Sequence, residues 1–228
     1  MEIGVVSDLH SNMVALDAVL RDLETENIEN ILCAGDLVGY YPFPNETVSR
    51  VRDLNALCVL GNHDFALVTE TPRDFNRLAK RALDWNRRNL SEENLVYLEE
   101  LPETRRLTLD GLDIFLAHGS PARPINEYIW EEDIDEHFLD VFFESPPDVV
   151  ILGHTHRPYV KVVGDTLCMN PGSVGQPRDG DPRASFGVID TESLEAEIRR
   201  VEYEIDWVAE ETEEYLPRRL AERLYEGR

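Results

Sequence analysis

Two hydrophobic patterns recur along the chain, short apolar runs typical of strands and apolar residues at helical spacing. Short apolar runs typical of strands cover residues 3–6, 28–34 and 56–60. Between the first two runs, one helical face carries Met13, Leu16, Leu20 and Leu23. Asn45 is predicted to cap a second helix that ends near Asp53. This β-α-β-α-β order predicts a parallel sheet that is covered by helices.

The same two patterns continue to the end of the chain. Helical faces are predicted at Phe75, Leu78, Ala79 and Ala82, then, after a cap at Ser91, at Leu95, Leu98 and Leu101. Residues 106–117 are typical of a hairpin, and residues 121–145 of an acidic loop and helix with Ile134, Phe138, Val141 and Phe142 inward. Later strands are predicted at residues 149–152, 160–163, 166–169, 185–190 and 195–205, and a last helix at 208–224. Without repeats or a linker, residues 1–228 are predicted to form one domain with two sheets.

The charge of the chain excludes some classes of partner. The sequence has 46 acidic and 22 basic residues, for a formal net charge of −24, and only Lys80 and Lys161 are lysines. Such a surface repels polyanions, so general nucleic-acid binding and anionic membranes are disfavoured. The acid excess with almost no lysine suggests adaptation to strong salt, and the alternative is simply an acidic soluble protein.

Other features predict a cytoplasmic protein. No run approaches the ~18 apolar residues of a membrane span, so no membrane association is expected. The first residues lack the basic start and apolar stretch of a signal peptide and begin as a strand. Cys33, Cys58 and Cys168 each lie in an apolar run, which fits small core residues in a reducing interior.

Polar side chains follow the apolar strands at the point where each strand ends. Five strand ends carry the eight candidates Asp8, His10, Asp36, Asn62, His63, His118, His154 and His156. Ligands of open α/β sheets bind beyond the carboxyl ends of the strands, so these side chains are predicted to meet at one rim. His137 has no partner motif and is predicted to be a surface residue of the acidic helix.

The chemistry of these donors predicts a site for more than one metal ion. Imidazole and carboxylate groups without thiolate suit manganese, iron, zinc, nickel or cobalt rather than a structural zinc. Asp8 and His10 are two apart on an extended segment and point to the same side, as do His154 and His156. Eight donors are too many for one tetrahedral ion and about right for two ions that share a bridging carboxylate.

The order of these motifs is similar to that of a known family. Besides the rim residues, the matching segments are residues 35–40, 118–121 and 170–178. Together they resemble the calcineurin-like metallophosphoesterases, nearest to their small prokaryotic phosphodiesterase branch (YfcE-type), over nearly the whole chain. The resemblance implies an α/β fold, a four-layer αββα sandwich of two mixed β-sheets flanked by helices, with a dimetal centre between the strand ends.

The resemblance also implies a role for each rim residue. One ion would be held by Asp8, His10, Asp36 and His156. The other would be held by Asp36, Asn62, His118 and His154, so that Asp36 bridges the two. The two divalent ions, manganese first, would clamp phosphate oxygens and activate a bridging water whose hydroxide attacks phosphorus. His63 would lie at the leaving group, oriented by Asp64.

Several roles around the substrate have alternatives. His63 either donates a proton as an imidazolium that Asp64 favours, or hydrogen-bonds the phosphate. Tyr40 and Tyr41 either stack on a base or aromatic leaving group, or anchor a packed loop. Further candidates are Asn12 and Arg157 for phosphate contacts, Arg123, Tyr128 and Trp130 for a lid, and Arg178 without an assigned role.

Differences from related motifs argue against two functions known in this family. Protein phosphatases of this family read GDxVDRG and GNHE, whereas this chain has Gly39-Tyr40 after Asp36 and ends the second motif in Asp64. The phosphate-clamping arginine of that group is also missing, which argues against protein phosphatase activity. A trafficking subunit with this fold has a degenerate metal site, but here every ligand is kept, which argues against a scaffold.

Three hypotheses follow. The first is a dimetal phosphodiesterase that hydrolyses a small organic or nucleotide phosphate. The second is a phosphomonoesterase or a dinucleoside polyphosphate hydrolase, and the third is a metal-dependent interaction module without catalysis. The expected partner is a small phosphate ester, and a homo-oligomer is left open.

The charge generates a prediction about salt. Self-repulsion among the excess carboxylates should destabilise the fold at low ionic strength. The thermal unfolding midpoint should therefore climb as potassium chloride rises from ~0.1 M, where the Debye length is ~10 Å, to 1 M, where it is ~3 Å. Differential scanning fluorimetry across this series measures it. A midpoint that does not move with salt would remove the interpretation as a salt-adapted protein.

Overall fold

The computed structural model describes residues 1–71 and 75–228. Its strands are β1 (Glu2–Val6), β2 (Asn30–Cys33), β3 (Leu57–Cys58), β4 (Thr104–Leu109), β5 (Leu112–Ala117), β6 (Val149–Ile151), β7 (Tyr159–Val163), β8 (Thr166–Asn170), β9 (Ala184–Asp190) and β10 (Glu195–Val201). Its helices are α1 (Met13–Thr25), α2 (Pro44–Asp53), α3 (Asn62–Thr69), α4 (Arg77–Asn89), α5 (Glu92–Glu99), α6 (Glu136–Phe142), α7 (Ile205–Tyr215) and α8 (Arg218–Glu226). None of the described helices is both long and apolar enough to cross a bilayer.

The strands form two mixed sheets of five strands each. Their orders are β10-β9-β1-β2-β3 and β4-β5-β6-β8-β7. Strands β1, β2 and β3 are parallel in the first sheet, and β5, β6 and β8 are parallel in the second. The remaining strands pair antiparallel with their neighbours. The parallel strands of each sheet therefore place their carboxyl ends along one edge.

Apolar side chains between the two sheets form the central layer of the core. Val5 and Leu32 of the first sheet and Leu116 and Ile151 of the second are buried in one cluster there. The opposite face of the first sheet is covered by an apolar cluster that includes α1, α2 and part of α3. The opposite face of the second sheet packs against α6 through Phe138. The predicted four-layer αββα sandwich is thus confirmed.

The cysteines occupy core positions in this arrangement. Cys33, Cys58 and Cys168 are all buried and free. Cys33 and Cys58 are register partners on the neighbouring strands β2 and β3. The prediction that they are small core residues is confirmed.

Two helical regions differ from the sequence prediction, namely α3 and the C-terminal helix. Residues 62–69 form helix α3, for which the sequence analysis predicted no helix between the strand at 56–60 and the helical face that begins at Phe75. The carboxylate of Asp64 accepts the Gly61 N–H at 3.1 Å and so caps the start of this helix. The last predicted helix is interrupted at Pro217, because proline lacks the N–H that would continue it.

Smaller differences concern individual positions. Strand β10 ends at Val201, four residues before the predicted end at Ile205. Asn45 lies inside the first turn of α2 rather than at its cap, and its side-chain oxygen accepts the Ser91 N–H at 2.8 Å. Val141 of α6 is 57% exposed rather than inward. The cap predicted at Ser91 is confirmed by its acceptance of the Asn94 N–H.

The core between the sheets generates a stability prediction. Leu116→Ala removes a fully buried side chain from this layer and should lower the free energy of unfolding by roughly 2–5 kcal/mol. Val162→Ala is the matched control, because Val162 is a strand residue that is 63% exposed. Its loss should stay below about 1 kcal/mol. Urea unfolding followed by circular dichroism measures both, and equal losses would contradict this description of the core.

Candidate metal centre

The loops that follow the parallel strands are joined to one another by backbone hydrogen bonds. The Asp8 N–H donates to Gly35 O, and the His10 N–H donates to Asp36 O, each at 2.9 Å. Within the second sheet, the Gly153 N–H donates to His118 O at 2.9 Å. Between the sheets, the His154 N–H donates to Asp8 Oδ2 at 3.1 Å. The strand ends of both sheets therefore converge on one edge, as the sequence predicted.

The backbone at this edge is held in a conformation that ordinary residues rarely adopt. Asp8, His10, Asp36, His154 and His156 all have positive φ, between 49° and 68°. Left-handed backbone costs about 1 kcal/mol or more for a residue with a side chain, and such residues cluster at functional sites. All five are predicted metal ligands, so the strained backbone occurs at residues that the sequence motifs had already identified.

Three histidines are oriented by main-chain carbonyl groups. The Nδ1 atoms of His10, His118 and His156 lie 3.1, 2.7 and 2.6 Å from the carbonyl oxygens of Val38, Ala34 and Gln176. A neutral imidazole that donates its Nδ1–H in this way keeps the lone pair on Nε2. Such a contact is the usual device that orients a metal-binding histidine.

The first group of potential ligands is formed by Asp8, His10 and His156. The Nε2 atoms of the two histidines lie 3.1 Å apart, and His156 Nε2 lies 3.1 Å from Asp8 Oδ1. Asp8 Oδ1 is buried without a hydrogen-bond partner, whereas Oδ2 accepts from Ser7 Oγ and the His154 N–H. One carboxylate oxygen is thus fixed by the protein and the other is free to bind a cation.

The second group of potential ligands is formed by Asp36, His118 and His154, with Asn62 beside it. His118 Nε2 lies 3.1 Å from His154 Nδ1, 3.1 Å from Asn62 Oδ1 and 3.4 Å from Asp36 Oδ2. The amide oxygen, the carboxylate oxygen and the two ring nitrogens therefore face a common point.

Asp36 lies between the two groups. Its Oδ2 is 3.7 Å from His10 Nε2 in the first group and 3.4 Å from His118 Nε2 in the second. Its Oδ1 accepts the His63 N–H at 2.7 Å, which fixes the orientation of the carboxylate. Gly61 permits this arrangement, because a Cβ at that position would overlap Asp36. Asp36 has the position that a bridging ligand needs.

The pKa values of the candidate ligands depend on their burial and on the opposite charges beside them. Burial alone would raise the pKa of Asp36, but the imidazoles, His118 first, hold that pKa well below its usual value. Burial likewise opposes the charge on His118, yet the Asp36 carboxylate raises the pKa of this histidine to about 9. Burial lowers the pKa of His154 to about 3. Ionised carboxylates and neutral imidazoles are the forms that bind a metal ion.

The residues present fit divalent metal ions. Ring nitrogens face one another at 3.1 Å in both groups, and the buried Oδ1 of Asp8 has no hydrogen-bond partner. A buried anion and converging nitrogen acceptors are stabilised by a cation at their centre. Imidazole, carboxylate and amide donors without thiolate suit first-row divalent metals.

Helix α3 changes the prediction for Asp64. Its carboxylate accepts three main-chain N–H groups, from Leu37, Val38 and Gly61, at 3.0–3.2 Å. His63 Nδ1 has no hydrogen-bond partner. Asp64 therefore ties α3 to the loop after Asp36 instead of orienting the His63 ring. The resemblance implied that Asp64 orients His63, but the three main-chain contacts of Asp64 use its carboxylate elsewhere.

Two of the predicted substrate contacts have structural roles. The Asn12 side chain accepts the Ala15 N–H and donates to Gly175 O, so it caps α1 and joins it to a distant loop. Tyr41 is fully buried, and its hydroxyl accepts from Gln176 Nε2 at 3.0 Å. Asn12 is therefore engaged in structural hydrogen bonds, and Tyr41 is packed in the interior. For Tyr41 this agrees with the alternative of a packed loop.

The other two predicted contacts lie at or beside the metal groups. A cavity of about 340 Å³ opens over them, and Tyr40, His63 and Arg178 line it. Arg157 does not line this cavity and lies in a neighbouring one, which it shares with Arg178.

Three of the lining residues were not predicted as site residues from the sequence, namely Phe75, Asn76 and Asn126. Tyr128, a candidate for the predicted lid, also lines the cavity. The Tyr128 ring stacks on the His154 ring with 3.9 Å between centroids and 14° between planes. The sequence signal for Tyr128 was only its place after His118, and Phe75 was assigned to the core of a helix. His137 is exposed, as predicted.

The comparisons with known proteins agree with this site. Residues 1–194 match the profile of the calcineurin-like phosphoesterase superfamily domain. The uncharacterized protein MJ0912 of Methanocaldococcus jannaschii is 38% identical over 99% of this chain and 98% of its own. Phosphodiesterase YfcE of Escherichia coli is 22% identical over 85% and 90% of the two chains. A solved metallophosphoesterase structure from Sphaerobacter thermophilus is 36% identical and superposes with a TM-score of 0.84 over 100% and 99%.

The position of Asp36 generates a prediction about metal binding. Two ions per chain are expected after equilibration with manganese, seen as two anomalous peaks beside Asp36 in a crystal. Asp36→Asn should lower the occupancy of both ions, because this carboxylate faces both ligand groups. Asn62→Ala should weaken mainly the ion of the second group.

Inductively coupled plasma mass spectrometry on dialysed protein measures the manganese content per chain of the two variants and of a control. Asp53→Asn is that control, because it removes a carboxylate that is 70% exposed and far along α2. It should keep both ions. One ion per chain in the unmodified protein, or the same partial loss from Asp36→Asn and Asn62→Ala, would contradict the bridging position.

Proposed function

Because the chain belongs to the calcineurin-like phosphoesterase superfamily, we propose that it is a dimetal phosphodiesterase that acts on a small organic or nucleotide phosphate. The proposal is carried by one observation, the position of Asp36 Oδ2 between two groups of buried ligands. A carboxylate that faces both groups is what a pair of neighbouring divalent ions requires. Relatives named as phosphodiesterases support the reaction class.

The ligand groups divide between the two ions. Asp8, His10 and His156 would hold the first ion, and Asn62, His118 and His154 would hold the second, with Asp36 placed to serve both. When bound, the two ions supply positive charge to phosphate oxygens and make a water nucleophilic near neutral pH. We favour manganese, with iron, zinc, nickel or cobalt as alternatives, because the donors mix imidazole with carboxylate and amide oxygen.

The walls of the cavity suit a small ester. Its volume of about 340 Å³ is in the range of small-molecule sites. Tyr40 and Phe75 both contact the His63 ring, with centroids 4.6 and 4.7 Å away, and Tyr128 covers His154 on the other side. Aromatic surfaces therefore flank both ends of the site. This arrangement supports a phosphodiester, since each of its two organic groups finds an apolar wall.

His63 is proposed to act on the leaving group. The residue lines the cavity, and its main-chain N–H, rather than its ring, binds Asp36. Burial lowers the pKa of His63 to about 4, so the ring is neutral at pH 7 in the metal-free protein. A phosphate anion beside the ring would raise this pKa and favour proton donation to the departing oxygen.

A substrate and metal screen tests the proposal. The metal-loaded protein should hydrolyse bis(p-nitrophenyl) phosphate faster than p-nitrophenyl phosphate, with manganese among the activating ions. Asp36→Asn, which should lose the ions, serves as the inactive control. Hydrolysis of the monoester alone would favour a phosphomonoesterase. Metal binding without hydrolysis of either ester would favour an interaction module.

The role of His63 generates a kinetic prediction. His63→Gln should keep both ions, because the His63 ring is not among the proposed ligands. Turnover should fall by roughly 10²–10⁴-fold for esters with an alkoxide leaving group, which needs a proton. The loss should be small for p-nitrophenolate, which leaves readily without one.

The control for this experiment is His137→Gln, which changes an exposed histidine on α6 and should leave both rates unchanged. Metal content is measured on each variant alongside the kinetics. An equal loss on both leaving groups would mean that His63 binds the phosphate instead, and the role as proton donor would be dropped.

A further inference from the structure

Two arginines lie next to the metal centre of a chain that is otherwise strongly acidic. Among the described residues that line the metal cavity, Arg178 is the one lysine or arginine. Arg178 also borders a neighbouring cavity of about 510 Å³, which Arg157 lines as well. The two cavities thus meet at Arg178, and the second one carries positive side chains.

Neutral groups hold the guanidinium group of Arg178. Its Nη2 donates to Gln176 Oε1 at 2.9 Å and to the Tyr40 hydroxyl at 3.2 Å. The guanidinium carbon lies 5.7 Å from the centre of the Tyr40 ring. Because Tyr40 also packs against His63, these contacts set the arginine at a fixed distance from the reacting groups. They restrict its motion and leave its charge uncompensated.

Arg157 is anchored in the same way. Its Nε donates to the main-chain oxygen of Arg178 at 3.1 Å, and its guanidinium carbon lies 5.7 Å from the centre of the Trp130 ring. Within residues 1–71 and 75–228, neither Arg157 nor Arg178 forms an ion pair, while many of the other arginines do. The carboxylate in the second cavity, Asp179, is already paired with Arg200.

This local charge has a chemical consequence. A net charge of −24 repels anions, so two fixed arginines without carboxylate partners concentrate attraction at one point of the surface. Guanidinium groups bind phosphate with pairs of charge-assisted hydrogen bonds. The metal ions already attract the phosphate that reacts, and Arg157 lies outside that cavity. Arg157, together with the side of Arg178 that borders the second cavity, is therefore placed for an anion other than the reacting one.

We propose that Arg157 and Arg178 form a second phosphate subsite beside the metal centre, so that the preferred substrate is a phosphodiester that carries an additional phosphate group. The inference rests on the proposed function, and it names the class of substrate for the same site. Arg178 contacts both cavities and links the subsite to the metal centre, while Arg157 contacts only the additional phosphate.

A matched pair of esters tests the subsite. Thymidine 3′-phosphate 5′-(p-nitrophenyl phosphate) and thymidine 5′-(p-nitrophenyl phosphate) differ only by the additional phosphate. At one fixed potassium chloride concentration, kcat/KM should be roughly ten- to a hundredfold higher for the first ester, as expected for charge-assisted hydrogen bonds. The general repulsion of the acidic chain acts in the opposite direction, so it cannot produce this preference.

Variants show whether the two arginines cause the preference. Arg157→Gln and Arg178→Gln should each reduce the ratio between the two esters towards one, and Arg178→Gln should also slow both esters. Arg183→Gln is the matched control, because it removes the same charge from an arginine that is 47% exposed and paired with Asp181. It should keep the ratio. A ratio near one in the unmodified protein, or a ratio unaffected by Arg157→Gln and Arg178→Gln, would overturn the subsite.

A binding measurement separates this inference from the proposed function. If neither ester is hydrolysed, the proposed reaction fails, and the metal-loaded protein is titrated calorimetrically with thymidine 3′,5′-bisphosphate and thymidine 5′-phosphate. Tighter binding of the bisphosphate that is lost in Arg157→Gln would keep the subsite as a property of a binding protein. Equal affinity for the two compounds would remove it.

Discussion

The charges of two buried carboxylates impose the main constraint on this molecule. Asp8 and Asp36 are essentially inaccessible to water, and an ionised carboxylate in such a place needs compensation from its surroundings. The protein provides part of it with imidazoles and hydrogen-bond donors at 2.7–3.4 Å. A divalent cation would supply further compensation, because Asp8 Oδ1 has no hydrogen-bond partner among the described residues. The convergence of both sheets on one edge follows from this requirement.

The same requirement explains why the loops are so closely joined. Asp8 is held by its own carbonyl as well as by its side chain, since the Ser173 hydroxyl and the Gly175 N–H both donate to Asp8 O. Asp64 uses its carboxylate to fix the start of α3 against the loop after Asp36. These contacts offset the left-handed backbone at the ligands, which would relax in a looser surrounding. The contacts that join the loops are therefore the same ones that hold the candidate ligands in position.

Local patterns were enough to predict two sheets and the convergence of polar residues at one edge, and the family resemblance supplied the four-layer arrangement. A strand that ends in Asp8 or His118 places that residue at the sheet edge whatever the rest of the chain does. The roles of Asn12 and Tyr41 could not be predicted in this way, since they are decided by partners more than a hundred residues away, at Gly175 and Gln176. Tyr128 was a candidate for a lid because it follows His118, but its stacking on His154 was not predicted, since it depends on a loop without regular spacing.

A chain with a formal net charge of −24 repels anions at long range, and the proposed substrate is itself an anion. Long-range repulsion weakens within about 8–10 Å in physiological salt, whereas contacts inside a cavity are screened much less. A small anion in the cavity meets the positive charge of Arg178, to which bound divalent ions would add, while a polyanion must also lie along the acidic exterior. Under the proposed function, this charge distribution would favour a small phosphate ester over a nucleic acid. The aromatic walls would then contact the organic groups of the ester.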